Sequence, residues 1–302
     1  YSANLTGILV TGEDGTPEVF DFSEFGGSVD AIANADEPRH SEHRKLVLPQ
    51  LNARKMDEME PELRRWSGQR IKPLVDRGIG DWIAEVADPV PVLAMARLIG
   101  LPADDLQQFL VWAFSGGEIL AGTTDLLRLV ELSKSTAAMS EYLQDHLFRS
   151  LERNSAYPAV DVTDELVAGI RAGLISEREA ISILIVLVGA AGESTASLTG
   201  SAVRLLAEDE KLQHTLREFP GLIPRFVEEV VRLESPFKGH YRVVTRATEL
   251  GGQHLPDNAR VLLLWAAANR DPAEYTLPDK ADLARAKPRE HLAYGQGMHF
   301  CV

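Results

Sequence analysis

His291-Leu292-Ala293-Tyr294-Gly295-Gln296-Gly297-Met298-His299-Phe300-Cys301-Val302 closes the sequence and holds the only cysteine among its 302 residues. Two glycines precede Cys301, and glycine lets a backbone turn tightly or approach a ligand closely. Tyr294, Met298 and Phe300 give the turn an apolar lining with little charge. A single cysteine is most often a small buried hydrophobe. A disulfide has no partner in this sequence. On a glycine-bent apolar loop, the third reading is a thiolate that ligates a buried metal centre.

Composition bounds the classes. Hydrophobic residues make up 45% and charged residues 25%, which fits an ordered globular protein with a sizeable core. Lys and Arg number 31 against 45 Asp and Glu, a net charge of −14. That balance argues against nucleic-acid and membrane partners, while a local basic patch could still dock an acidic protein. One cysteine fits a reducing cytosol. No run reaches the ~18 uninterrupted apolar residues of a membrane span. The longest, Ile181 to Ala191, is short and contains Ser182 and Gly189. No signal peptide opens the sequence, which starts at Tyr1 and reads as part of a longer chain.

Moving outward from the cysteine, residues 240–263 have strand character, and Gly251-Gly252 ends one stretch of it. Asn269-Arg270-Asp271-Pro272 is a turn. Residues 220–236 are helical. Glu229 and Arg232 lie three apart there and can pair on one face, which is ordinarily a weak surface contact. Ser176 with Glu179 three residues on is a helix-start signature, and the helix runs to about Glu208. Within it, Gly189-Ala190-Ala191-Gly192-Glu193-Ser194-Thr195 places an acid and two hydroxyls after four small residues. The plain reading is a small-residue helix crossing. The functional one is a gap beside the backbone served by proton-carrying groups, since mid-helix Ser and Thr can bond back to a carbonyl and loosen the helix.

Nearer the start, residues 161–174 predict a short helix. Residues 103–153 predict two helices with a turn near Gly116-Gly117 or Gly122. Residues 56–75 and 80–99 predict core helices, the second interrupted by Pro89 and Pro91 and ended at Gly100-Leu101-Pro102. Residues 36–48 predict a helix capped by Asp36, with Pro38 in its first turn. His40 and Arg44 share a face there, which is either a solvated basic face or a grip on an acid. Residues 1–35, turn-rich at Thr11 to Pro17, read as irregular loop.

Taken together these strings resemble the cytochrome P-450 family. Tyr294, Gly297 and Cys301 fall on the fixed positions of its haem-ligand loop, F-x-x-G-x-x-x-C-x-G, with Tyr in place of Phe. The string over His291 to Cys301 is similar to that of soluble bacterial, actinobacterial-looking members. Ala190 to Thr195 resembles the oxygen-binding helix A-[AG]-x-[DE]-T-[TS], with Ser194 where Thr is usual. Asp36, Pro38, His40 and Arg44 match D-x-P-x-H-x-x-x-R. Glu229 and Arg232 match Glu-x-x-Arg, and the Asn269–Pro272 turn also matches.

The resemblance implies a mainly α, helix-rich single domain with small β-sheets over residues 1–302. It lacks the family's N-terminal portion and the helix after the cysteine, whose amide N–H groups would help hold the sulfur as thiolate. A chain truly ending at Val302 would be expected to bind haem poorly. The implied cofactor is haem b. Cys301 is the implied iron ligand. His40, Arg44, Arg242, His299 and, less directly, His291 are the implied propionate donors, and Glu193, Ser194 and Thr195 the implied oxygen-side groups. Helices over 103–153 would roof the substrate. Glu229 and Arg232 would be buried and structural, while the usual third member, an arginine, looks replaced near Pro278-Asp279-Lys280-Ala281.

The implied activity is a cytoplasmic, monomeric monooxygenase. It would use O2 to oxidise a small hydrophobic organic substrate, with electrons from NAD(P)H through a reductase and a ferredoxin. The basic neighbourhood of Arg39, His43, Lys45, Arg54 and Lys55 would dock the acidic ferredoxin. A haem sensor or store without turnover, a peroxide-driven oxidase, and a helical interaction domain with no cofactor remain the alternatives.

Overall fold

The computed structural model describes residues 1–5, 7–12, 14–21, 29–120, 124–153 and 158–302. They form two compact units, Tyr1–Glu193 with Val302, and Ser194–Cys301.

The first unit opens on a hairpin, β1 (Gly7–Thr11) antiparallel to β2 (Pro17–Asp21), where the sequence reads as loop. The turn-rich residues are its connection. Gly15 has φ 79°, and the Asp14 carboxylate accepts the Thr16 amide at 2.9 Å. Helix α1 (Arg39–Val47) follows without a side-chain cap. Asp36 is turned elsewhere, accepting the Ser2 hydroxyl and, at 3.1 Å, the Ala3 amide, so its expected capping role is corrected to an anchor for the chain start.

Helix α2 (Ala53–Arg77) is capped by Asn52 and stopped by Gly78 in the left-handed region. One π turn, Ile83–Ala87, precedes α3 (Pro89–Ile99), so the two prolines start a helix rather than interrupt one. Gly100, at φ 91°, ends it. Helix α4 (Leu106–Leu120) runs straight through Gly116-Gly117, which corrects the turn expected there; Gly122 lies outside the described residues. Helices α5 (Leu126–Glu152) and α6 (Val162–Arg171) are capped by Asp125 and Asp161.

Helix α7 (Glu177–Glu208) starts on a reciprocal capping box. The Glu179 amide donates to Ser176 Oγ at 3.2 Å, and the Ser176 amide donates back to Glu179 Oε2 at 2.8 Å. By length and composition α7 is apolar enough to cross a membrane. Its Ala180, Ile183, Leu184 and Val188 are instead buried in the unit's core, with Met95 and Ile99 of α3, Phe109 of α4, and Leu143 and Leu147 of α5. Each large buried side chain contributes roughly 1.5–3 kcal/mol.

Glu179 has a second partner, Arg39 of α1, whose Nε donates to Oε1 at 2.6 Å. Burial pushes the Glu179 carboxyl up, but the Ser176 amide and hydroxyl and the Arg39 guanidinium outweigh it and hold it at about 2, below the usual 4.5. A depressed folded-state value means stability that is whole above pH 4.5 and lost as pH falls toward 2. Thermal melts of Glu179→Gln should therefore lie below the parent's at neutral pH, with the gap closing through that acid window. A gap independent of pH would contradict the assignment.

The second unit continues α7 from Ser194 and adds α8 (Glu210–Glu218) and α9 (Ile223–Glu234). Leu216, Phe226 and Val230 form its core with Leu198, Ala202 and Leu205 of α7. Two small antiparallel pairs follow: β3 (His240–Val243) with β6 (Arg260–Leu263), and β4 (Thr248–Leu250) with β5 (Gln253–Leu255). Gly251 and Gly252, at φ 56° and 76°, are the two-residue turn of that hairpin rather than the end of a stretch. After α10 (Trp265–Ala268), turns and coil lead to a single 3₁₀ turn, Gly297–His299, just before Cys301.

Candidate active site

The site is built on α9. Glu229 and Arg232 are both fully buried, so the weak surface pair that their spacing alone suggests is overturned. Arg232 spends all five guanidinium donors. Nε and Nη2 bind the two Glu229 carboxylate oxygens at 2.9 and 3.0 Å. Nη1 reaches the carbonyls of Asn269 and Pro278 at 2.9 and 2.7 Å, and Nη2 that of Lys280 at 2.9 Å. Glu229 also accepts the Asp282 amide at 2.8 Å and Arg285 Nε at 2.9 Å. Arg285 is therefore the third member of the network, a few residues beyond Pro278–Ala281. Both guanidiniums lie over the Tyr275 ring, at 5.0 Å for Arg232 and 5.4 Å for Arg285. Burial would raise the Glu229 carboxyl, but these partners outweigh it and hold it below the usual range.

From this network two straps reach the cysteine segment. Asn269, fully buried, donates Nδ2 to Ser235 Oγ at 2.9 Å and accepts the Leu292 amide on Oδ1 at 2.6 Å. Glu228 takes Arg289 Nε on one oxygen at 3.0 Å and His291 Nε2 on the other at 3.1 Å. The other His291 nitrogen faces the Ala293 amide at 3.4 Å. Both His291 ring nitrogens thus have partners that hold the loop.

Beyond His291 the chain bends through Gly295 and Gly297, at φ 70° and 80°, and the Cys301 amide returns to the Tyr294 carbonyl at 3.0 Å. Only glycine adopts such angles without strain. Cys301, Tyr294, Met298 and Phe300 are exposed on this bend. A thiol within an uncovered apolar patch suits a large apolar metal complex. Among the described residues no cluster of three His, Cys, Asp or Glu could hold a bare ion. A metal that brings most of its own ligands, as the iron of haem does, fits the single thiol at Cys301.

The remaining predicted residues lie on several elements. Arg242 and His299 lie in the second unit, on β3 and in the 3₁₀ turn; Arg242 donates Nη1 to the Tyr241 carbonyl at 2.7 Å. His40 and Arg44 lie on one face of α1 in the first unit. His40 is buried, with Nδ1 3.6 Å from Glu37 Oε1, so this is not a solvated basic face. Glu193, Ser194 and Thr195 are consecutive on α7, which stays an unbroken α-helix there. The Thr199 hydroxyl donates to the Thr195 carbonyl at 2.7 Å without loosening it. Glu193 is half-buried against α4, and burial raises its carboxyl, with the Gly117 amide pulling the other way.

The family profile described as Cytochrome P450 matches residues 204–302, which carry the α9 network and the cysteine loop. Cytochrome P450 144 of Mycobacterium tuberculosis is 36% identical over 302 residues, covering all of this chain and 69% of its own length. This chain belongs to the cytochrome P450 family. The cyclomarin C epoxidase CymV of Salinispora arenicola is 31% identical over 273 residues, 88% of this P450 and 67% of that protein. Among solved structures, P450BioI in complex with a hexadec-9Z-enoic acid-ligated acyl carrier protein aligns with a TM-score of 0.83 at 28% identity, over 90% of this chain and 69% of that one. The mainly α fold with small sheets is thus that of the family, and this P450 is a monooxygenase of the oxidoreductase class whose family carries haem.

Proposed function

We propose that this P450 holds haem b through the Cys301 thiolate and oxidises a small hydrophobic organic substrate, with electrons passed from NAD(P)H through a reductase and a ferredoxin. The observation that carries the reading is the strapped, glycine-bent loop that presents one thiol in an uncovered apolar patch. Haem, when bound, supplies the activation of O2 and the transfer of oxygen to the substrate.

The chain's own residues do the rest. Cys301 donates electron density from sulfur. His40, Arg44, Arg242 and His299 neutralise the two propionates by charge-assisted hydrogen bonds. Glu193 holds a proton at its carboxyl group, which burial favours, and the hydroxyls of Ser194 and Thr195 pass it on. Helices α4 and α5 roof the substrate and exclude water. The surface carrying Lys45, Arg54 and Lys55 receives the acidic ferredoxin; of the expected basic neighbourhood, Arg39 is spent on Glu42 and Glu179 and His43 is fully buried, so neither belongs to it. The protein works as a cytoplasmic monomer, and residues 1–302 act as one haem domain.

A carbon-monoxide difference spectrum followed by NADPH-driven oxygen uptake, with ferredoxin and reductase supplied, tests the reading. A thiolate-type spectrum without oxygen uptake would replace it with a sensor or store. Ser194→Thr gives a finer check. The added methyl restricts the hydroxyl rotamer, an effect of roughly 0.5 kcal/mol, or about twofold in partition. Peroxide released per NADPH should fall by about that factor, and equal leakage would remove this role for Ser194.

A further inference from the structure

Within the first unit, α4 crosses α7 on nearly bare backbone. A Cβ on Gly192 would lie 2.7 Å from the Ala113 Cβ, and one on Gly116 would lie 3.5 Å from the Gly189 Cα. Glu193 brings a carboxyl group into this crossing. A Cβ on Gly117 would sit 1.6 Å from Glu193 Oε2, 2.3 Å from the carboxyl carbon and 2.5 Å from Oε1. The carboxyl group fills the volume that any side chain at 117 would need.

We propose that Gly117 is the positioning residue for the Glu193 carboxyl group, its bare backbone on α4 forming the seat from which that acid works. The functional half of this rests on the reading of Glu193 as the proton-holding acid. A glutamate on an open helix face samples several rotamers, and seating it against a neighbouring helix removes that freedom before the reaction needs it. The place of the acid is then set by α4, the helix that also roofs the substrate. The same contact desolvates the carboxyl, in line with the upward direction of its pKa.

The sign of a stability change tests the seat in the full-length, haem-loaded protein. Glycine inside a helix is ordinarily improved by alanine. Here the new methyl meets the end of a flexible side chain, which can swing aside only by giving up the Gly117 amide bond, so Gly117→Ala should lower Tm modestly, by roughly 1–2 °C. In a Glu193→Ala background the same change should raise Tm. Glu193→Asp, one methylene shorter, should relieve much of the Gly117→Ala loss. If Gly117→Ala fails to fold while Gly117→Ala/Glu193→Ala folds, the seat is supported. If Gly117→Ala stabilises both backgrounds, or both proteins fail, the proposal is overturned. Peroxide released per NADPH should also rise in Gly117→Ala. A sign reversal with unchanged leakage would leave the seat standing and overturn the assignment of Glu193 to proton delivery.

Discussion

Arg232→Met is expected to lower the unfolding free energy of the full-length protein by about 3–5 kcal/mol, read as a drop in the urea midpoint. The argument is one of unmatched groups. The change removes both Arg232 bonds to Glu229 and leaves a buried carboxylate with Arg285 and the Asp282 amide. It also strips a donor from the carbonyls of Asn269, Pro278 and Lys280. An unsatisfied buried polar group costs about 1–3 kcal/mol. Arg232→Lys should be nearly as damaging, since an ammonium has three donors on one point and cannot span a carboxylate and three carbonyls together. The loop holding Cys301 should loosen as well, because Asn269 carries both the Arg232 carbonyl bond and the Leu292 strap. A midpoint shift equivalent to less than about 1 kcal/mol for Arg232→Met would refute the network as a source of stability.

Cys301→Ser should produce the opposite pattern, intact fold and lost chemistry. The side chain is exposed and is in neither core cluster of the described residues. The bond that shapes its loop is made by the Cys301 main-chain amide, which serine keeps. Stability of the cofactor-free protein should stay within about 0.5 kcal/mol of the parent. The reduced, carbon-monoxide-treated sample should lose the thiolate-type Soret band, because a serine oxygen does not push electron density as sulfur does. NADPH-driven product formation should fall by more than about 10³-fold, the scale seen when a reacting centre loses its essential group. Survival of that band in the serine variant would remove Cys301 from the iron.

What the sequence discloses divides by range. The capping box at Ser176 and Glu179 is legible because it is closed within four residues. The Glu229–Arg232 spacing is equally local, but its burial is not, since that depends on three carbonyls contributed by coil far along the chain. Arg285 escapes notice for the same reason: it reaches Glu229 from irregular backbone, with no fixed spacing to announce it. The Gly116-Gly117 pair misleads in the other direction. Read locally it breaks a helix, whereas tertiary packing uses it for close approach, and packing overrides propensity. The hairpin over residues 7–21 is hidden by its turn-rich connection. His40 and Arg44 are placed on one face by spacing, but that His40 is buried there could only come from the fold.

Arg232 grips main-chain oxygens at Pro278 and Lys280, not their side chains. Mutational drift at those two positions is therefore tolerated by the grip as long as the coil keeps its path, and exposed Lys280 can change identity at little cost. Asn269 has no such latitude, since its side-chain amide makes two of the bonds itself. Sequence variation in this coil should accordingly be lopsided, broad at 280 and nearly frozen at 269.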